Sequence, residues 1–139
     1  MTDAAAAPTA TAETFGDPTT APFWAAARQR RLVIQRCAAC GHHQFYPRPH
    51  CLACESADLA WVPAAGHGTI YSMTTTHVQV YPDLAPPYVV ALVELAEGPR
   101  LLTNIVGVPC RIGDAVRLAW RERADAPPLP VFERAEGGR

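Results

Sequence analysis

Four of the chain's five cysteines fall in one eighteen-residue stretch, CAACGHHQFYPRPHCLAC (37–54), and their spacing constrains the fold more than any other feature. Cys37 and Cys40 form one C-x2-C pair, and Cys51 and Cys54 form a second after ten intervening residues. A C-x2-C turn offers two corners of a tetrahedron, and two such turns close it around a metal with M–S bonds of about 2.3 Å. Two disulfides are the competing arrangement. They fit poorly, because the cysteine count is odd and nothing else suggests secretion. All-thiolate tetrahedral sites suit zinc, or iron as in rubredoxin. His42, His43 and His50 lie among the cysteines; with four sulfurs in register, they are expected at the surface or behind the ligands. Four thiolates leave no open position for water or substrate, so the site is expected to hold one structural zinc and to catalyse nothing.

Size explains why such a staple is needed. Residues 1–20 are Ala, Thr and Pro with almost no large apolar side chain. They lack the basic start and apolar run of a signal peptide, so they read as an unstructured, cytoplasmic tail, and 135–139 as a second one. No window approaches a membrane span. The remainder divides into a helix and lead-in strand (21–36), a zinc ribbon (37–63) and a β-domain (64–134). A β-domain of roughly 70 residues is near the size at which a core alone is marginal. A structural metal adds folding free energy, because the unfolded chain does not present its site.

Charge narrows the partners. The formal net charge is −1, with 12 basic residues, every one of them arginine. Lysine-based covalent chemistry is therefore excluded, and the broad positive field of a nucleic-acid binder is missing. The arginines are unevenly placed. No acidic residue occurs between Asp17 and Glu55, whereas Arg28, Arg30, Arg31, Arg36 and Arg48 all do. One reading is partial compensation of a dianionic zinc–tetrathiolate beside an ordinary solvated helix face. The other is a surface for an anion or an acidic partner.

Along the chain, APFWAAARQRR (21–31) predicts a short helix with Pro22 in its first turn. Phe23 and Trp24 at its start are candidate anchors, either onto this chain's own body or onto another chain. LVIQR (32–36) predicts a strand entering the first knuckle, with QFYPR (44–48) as its return. Gly41 supplies the permissive backbone that a tight knuckle favours, but Cys54 is followed by Glu55, so the second knuckle is less ideal. Beyond residue 64 the texture is all-β. Strands are expected over 69–80, 88–95, 100–107 and 114–123, the last with Val116, Leu118 and Trp120 on one face. Four or five such strands in about 65 residues suggest a small closed barrel. YPDLAPPY (81–88) is its longest loop, and Cys110 reads as a small buried hydrophobe.

The order FW, L.IQRC..CG...FYPR..C..C, W....G.GTIYS.T..H, PY.VALVEL.EG.RL and IGD.V resembles the zinc-ribbon plus OB-fold proteins of acyl-CoA metabolism. These were long catalogued only as a domain of unknown function. The match runs from about residue 22 to 133. It implies an N-terminal helix, a rubredoxin-like zinc ribbon and a five-stranded OB-fold barrel in a mainly β chain. It also implies a non-catalytic subunit that binds thiolases, thiolase-like aldolases or hydroxymethylglutaryl-CoA synthase-type enzymes; some members are fused to hot-dog-fold hydratases. Carried across residue by residue, the metal ligands are Cys37, Cys40, Cys51 and Cys54. Leu52 stands where the family often has proline, a departure that should leave ligation intact.

The resemblance makes a thiolase-like or aldolase-like catalytic subunit the expected partner, in a two-plus-two heterotetramer. Acyl-CoA is a candidate ligand whose phosphates Arg28, Arg30, Arg31, Arg36 or Arg48 would meet. Phe23 and Trp24 are the candidate interface aromatics. Two other classes compete. A single-stranded nucleic-acid module is argued against by the neutral charge and the lack of interleaved basic and aromatic residues. An iron-filled redox protein would be coloured. No catalytic residue is assigned, and His67 and His77 are expected to be structural or at the surface.

Overall fold

The computed structural model describes residues 17–107 and 109–135; of the expected tails, 1–20 and 135–139, residues 1–16 and 136–139 lie outside the described residues. The elements run α1 (Ala21–Ala27), β1 (Val33–Cys37), β2 (His43–Gln44), β3 (Leu59–Pro63), β4 (His67–Thr76), β5 (Tyr88–Leu95), β6 (Arg100–Val106), β7 (Ala115–Arg121) and β8 (Leu129–Arg134). They form two compact units. Of the described residues, the first contains those up to Pro63 together with Glu122–Leu129, and the second contains those of Ala64–Arg121 and those from Pro130 onward.

In the first unit, α1 is preceded by a turn in which the Asp17 carboxylate accepts the Thr19 and Thr20 N–H groups at 2.9 and 3.2 Å. Thr20 is buried, so order begins before the helix. The helix buries Phe23, Ala26 and Ala27 and stops four residues short of its expected end. Arg30 adopts φ 56°, and the Arg31 N–H turns back to the Ala26 carbonyl at 3.0 Å. That left-handed residue closes the helix as a glycine commonly does and points the chain into β1.

β1 is the centre of a three-stranded sheet of order β2-β1-β3. Its register sets Gln35 opposite Gln44 on one side and opposite Trp61 on the other. The return strand is only two residues long, where five (44–48) were expected. The Gln35 side chain explains this. Its amide accepts the Arg48 N–H and donates to the Arg48 carbonyl, both at 2.9 Å, and so stands in for a strand partner.

The second unit is a closed barrel of order β4-β5-β6-β8-β7. Its first three strands are consecutive and antiparallel, β6 and β8 pair in parallel, and β7 closes on β4. A five-stranded barrel of this connectivity is an OB fold. Its core includes Ile70, Ala91, Val93, Leu95, Val116 and Phe132. β5 sits between two long ladders; Ala91, Val93 and Leu95 are buried, but the alternate residues are only half-buried, although the run is apolar on both faces. β7 is less regular than its alternation suggests. Val116 is buried and Arg117 exposed, but from Leu118 onward every residue is half-buried. The β4 ladder covers only Ala115–Arg117, so the rest of β7 has no β4 partner to fix two distinct faces. A bulge between Ile70 and Ser72 turns Tyr71 outward, where the Arg100 guanidinium lies 3.6 Å from its ring centroid.

Closure depends on Gly68, which pairs with Leu95 and with Val116. A Cβ there would stand 2.2 Å from the Glu94 carbonyl oxygen, a backbone atom that cannot swing aside. Gly68→Ala should therefore destabilise the barrel by about 1–3 kcal/mol, read as a lower denaturation midpoint at an unchanged m-value. An unchanged midpoint would show that the strands separate without strain.

Candidate metal centre

The two C-x2-C turns have the same backbone architecture. The Gly41 N–H bonds the Cys37 carbonyl at 2.8 Å, and the Glu55 N–H bonds the Cys51 carbonyl at 2.9 Å. The Cys37 and Cys51 N–H groups reach the His42 and Ser56 carbonyls at 2.9 and 2.8 Å. Each turn ends in a left-handed residue, Gly41 at φ 82° and Glu55 at φ 69°. Glycine takes that conformation freely, whereas a residue with a Cβ is strained there by roughly 1–2 kcal/mol. The second knuckle thus folds against its own sequence.

The turns bring all four Sγ atoms within 4.8 Å of one another, and this is the metal-capable cluster found among the described residues. Cys37 and Cys54 are 3.6 Å apart and Cys40 and Cys51 are 3.7 Å apart. The edge of a tetrahedron with ~2.3 Å arms is about 3.8 Å, so the spacing fits a zinc ion and is far too long for disulfides. Cys37 and Cys51 are buried, while Cys40 and Cys54 are exposed.

Acid–base chemistry supports the same assignment. Burial pushes the Cys37 thiol up, but the Cys40 and Ala39 N–H groups and the neighbouring thiols outweigh it and lower it. At Cys51 burial is likewise overcome by the Cys54 and Ala53 N–H groups, which with the nearby sulfurs draw it down to about 7. The His42 N–H lowers Cys40, but desolvation and the sulfurs of Cys51 and Cys37 raise it overall. The Ser56 N–H acts on Cys54 in the same sense, yet the crowding of Cys37, Cys40 and Cys51 pushes it up to about 12. Without a cation the cluster keeps protons on Cys40 and Cys54. A dication removes that repulsion, as a zinc ribbon requires.

The other candidates are dispersed. His42 and His50 are exposed, His43 is half-buried, and none joins the tetrad. His67 and His77 are exposed. Cys110 is half-buried rather than buried; desolvation, aided by the Asp114 charge, raises its thiol. Phe23 is buried against Trp24 and Phe45, with ring centroids at 4.8 and 5.4 Å, so it anchors the helix within its own unit. Trp24 remains half-buried, with the Arg123 guanidinium 5.7 Å from its ring centroid.

Arg28, Arg30, Arg31, Arg36 and Arg48 are all exposed. Arg30 forms a two-pronged ion pair with Glu122, an acid ninety-two positions along the chain. The acid-free stretch is therefore partly neutralised by a partner that no local reading finds. Arg31 bonds the Gln29 side chain at 3.1 Å. The Arg36 guanidinium reaches 3.5 Å from where a Gly41 Cβ would stand, over the first knuckle. Sequence reasoning missed Gln35 and Gln44, two buried amides behind the knuckles. The one available signal was a glutamine at a buried position of a predicted strand.

A four-sulfur knuckle pair joined to an OB barrel defines a zinc-ribbon/OB-fold protein. The family model of the ChsH2 rubredoxin-like zinc ribbon domain matches residues 24–60, and that of the ChsH2 C-terminal OB-fold domain matches 61–121. A solved structure described as the Ltp2-ChsH2(DUF35) aldolase contains a chain 47% identical to this one. The two superpose with a TM-score of 0.81 over 87% of this chain and 98% of that one. This chain belongs to the ChsH2-type DUF35 family. A probable enoyl-CoA hydratase alpha subunit of Thermomonospora curvata is 50% identical over 117 residues, which are 81% of this chain and 37% of that protein. The 3-oxo-4,17-pregnadiene-20-carboxyl-CoA hydratase alpha subunit of Mycobacterium tuberculosis is 36% identical over 109 residues, 76% of this chain and 35% of that protein. The chain spans just over a third of the length of these two relatives.

Every ligating sulfur must shed its proton, so zinc affinity should fall as pH falls. Binding displaces protons chiefly from Cys40 and Cys54, and Cys51, drawn down to about 7, adds to the number as the pH falls through neutral. Chelator competition between pH 6 and 8, with calorimetry in buffers of different ionisation enthalpy, measures both quantities. A pH-independent affinity would contradict four-thiolate ligation.

Proposed function

We propose that this chain is a non-catalytic accessory subunit of a thiolase-like or aldolase-like acyl-CoA enzyme, which it binds, stabilises and helps to form an acyl-CoA entrance. The observation that carries this reading is the 47% identity to, and near-complete coverage of, a chain in the structure described as the Ltp2-ChsH2(DUF35) aldolase. The closed four-sulfur centre agrees with it, since such a site leaves no position for substrate. The named relatives act on CoA thioesters, one of them a steroid side-chain thioester, so a bulky acyl-CoA is the substrate class of the complex. A two-plus-two assembly in the cytoplasm is the corresponding arrangement. Among the described residues, no helix is long and apolar enough to cross a membrane.

The loop between β4 and β5 supplies a docking surface. Val78, Val80 and Tyr81 are 67%, 57% and 55% exposed within four residues. The loop is nonetheless held in shape. The Gln79 amide donates to the Tyr81 and Leu84 carbonyls, and Asp83 pairs with Arg121 at 3.0 Å. A preformed apolar loop loses little freedom on docking, which favours a protein partner. Trp24 offers a second aromatic contact, and the exposed Arg28, Arg31, Arg36 and Arg48 offer guanidinium groups to an anion.

Co-expression with a thiolase-like or aldolase-like subunit from the same genome, followed by native mass spectrometry, tests the reading. A two-plus-two complex with one zinc per copy of this chain is expected; a zinc-loaded monomer beside a fully active free enzyme would overturn it. Val78→Asp combined with Val80→Asp should abolish co-purification while changing the chain's own stability by less than about 0.5 kcal/mol. In the assembled enzyme, reversing charge at Arg31 and Arg48 should raise KM for acyl-CoA at low salt and leave kcat unchanged. An unaltered KM removes the arginines from the CoA entrance.

A further inference from the structure

The two knuckles are held in place by different means. Cys37 ends β1 and is secured by the ladder, pairing with Leu59, while the adjacent Ala38 N–H bonds the Asp58 carbonyl at 2.9 Å. The second knuckle lies between β2 and β3 and belongs to no strand. Apart from the hydrogen bonds of its own turn, its tethers are two side-chain amides. Gln35 and Gln44, 4% and 3% exposed, face each other across the β1–β2 pair. The Gln44 Nε2 group donates to Gln35 Oε1 at 2.9 Å and to the His50 carbonyl at 3.2 Å. Gln44 Oε1 accepts the Leu52 N–H at 2.9 Å. Gln35 Oε1 also accepts the Arg48 N–H, and its Nε2 donates to the Arg48 carbonyl, both at 2.9 Å.

Four of these five bonds end on the backbone from Arg48 to Leu52, the segment that carries Cys51. Their polarity is self-consistent. Gln44 uses both N–H donors, Gln35 Oε1 accepts twice, and turning either amide over would set donor against donor. Both amides are buried, and removing either one takes these bonds from its backbone partners. None of the five bonds involves a sulfur or a metal.

We propose that Gln44, braced by Gln35, is a positioning residue for the zinc centre: it presets the Cys51–Cys54 knuckle in ligating geometry and thereby sets metal affinity. The first knuckle is templated by the sheet and the second by the amide clamp. Zinc then joins two preformed halves, and the clamp offsets the strain of the left-handed Glu55.

The test uses the full chain and zinc alone. Gln44→Met keeps the length and bulk of the side chain but removes its three hydrogen bonds, and zinc affinity by chelator competition should fall about 10–100-fold. Once saturated with Co2+, the variant should still show the spectrum of a tetrahedral four-sulfur site, because the ligands are unchanged. Hydrogen exchange on the metal-free chain separates positioning from general stability. The Leu52 amide should be protected in the parent and unprotected in the variant, whereas the Arg48 amide, held by Gln35, should stay protected in both. Gly68→Ala, which weakens the barrel, should leave zinc affinity as it is. If Gln44→Met does not fold, Gln35→Met retains the Gln44 bonds to Leu52 and His50 and should lower affinity several-fold. Zinc affinity within about twofold of the parent in the variants that fold would overturn the proposal. So would a Leu52 amide that exchanges freely in the metal-free parent, since the clamp would then form only after the metal.

Discussion

Four sulfurs held within 4.8 Å of one another cannot all be ionised unless a cation sits between them, and the first unit is organised around that constraint. Burial opposes the charge on Cys37 and Cys51, and the backbone answers it with N–H groups directed at sulfur from both turns. The repulsion that remains shows as the protons kept on Cys40 and Cys54. A dication resolves it, so metal binding adds to the stability of the folded ribbon. The small three-stranded sheet does not have to hold the unit together by its core alone.

The same unit shows how charge is distributed around such a centre. Five arginines surround the cysteines in sequence with no acid among them, yet they do not form one uniform positive face. Arg30 is taken by Glu122, Arg36 lies over the first knuckle, and Arg31 bonds a neighbouring glutamine. Exposed ion pairs contribute little to stability, so the Arg30–Glu122 contact matters more for where it places the chain than for its strength. It lies where Glu122–Leu129 rejoins the first unit, a segment whose Pro127 is fully buried.

Much of the fold was legible because the signals are local. A C-x2-C spacing dictates a turn whatever surrounds it, and both turns formed even though Glu55 is a poor residue for its backbone. The run 88–95 became a strand with the expected ends. Elements whose limits depend on distant partners were less legible. α1 stops early because Arg30 turns left-handed, and β2 is cut short because the Gln35 amide takes the place of a ladder partner. β8 carries little alternation of its own and exists because β6 pairs with it in parallel. The buried glutamines were overlooked for a related reason, as polar residues in a strand pattern read as a solvent face.

By itself, the sequence determined the identity of the four ligands, their knuckle geometry, the one-helix-then-β order and the likeness to accessory proteins of acyl-CoA enzymes. The first three are written in spacing or composition over a few residues, and the likeness in the order of motifs from about residue 22 to 133. Only the tertiary structure decided which amides brace the second knuckle, which acid meets Arg30, that Phe23 faces inward, and that Gly68 sits where β4 meets both neighbours. Those depend on pairings between residues far apart in the chain, where register and burial, rather than local propensity, determine what a side chain touches.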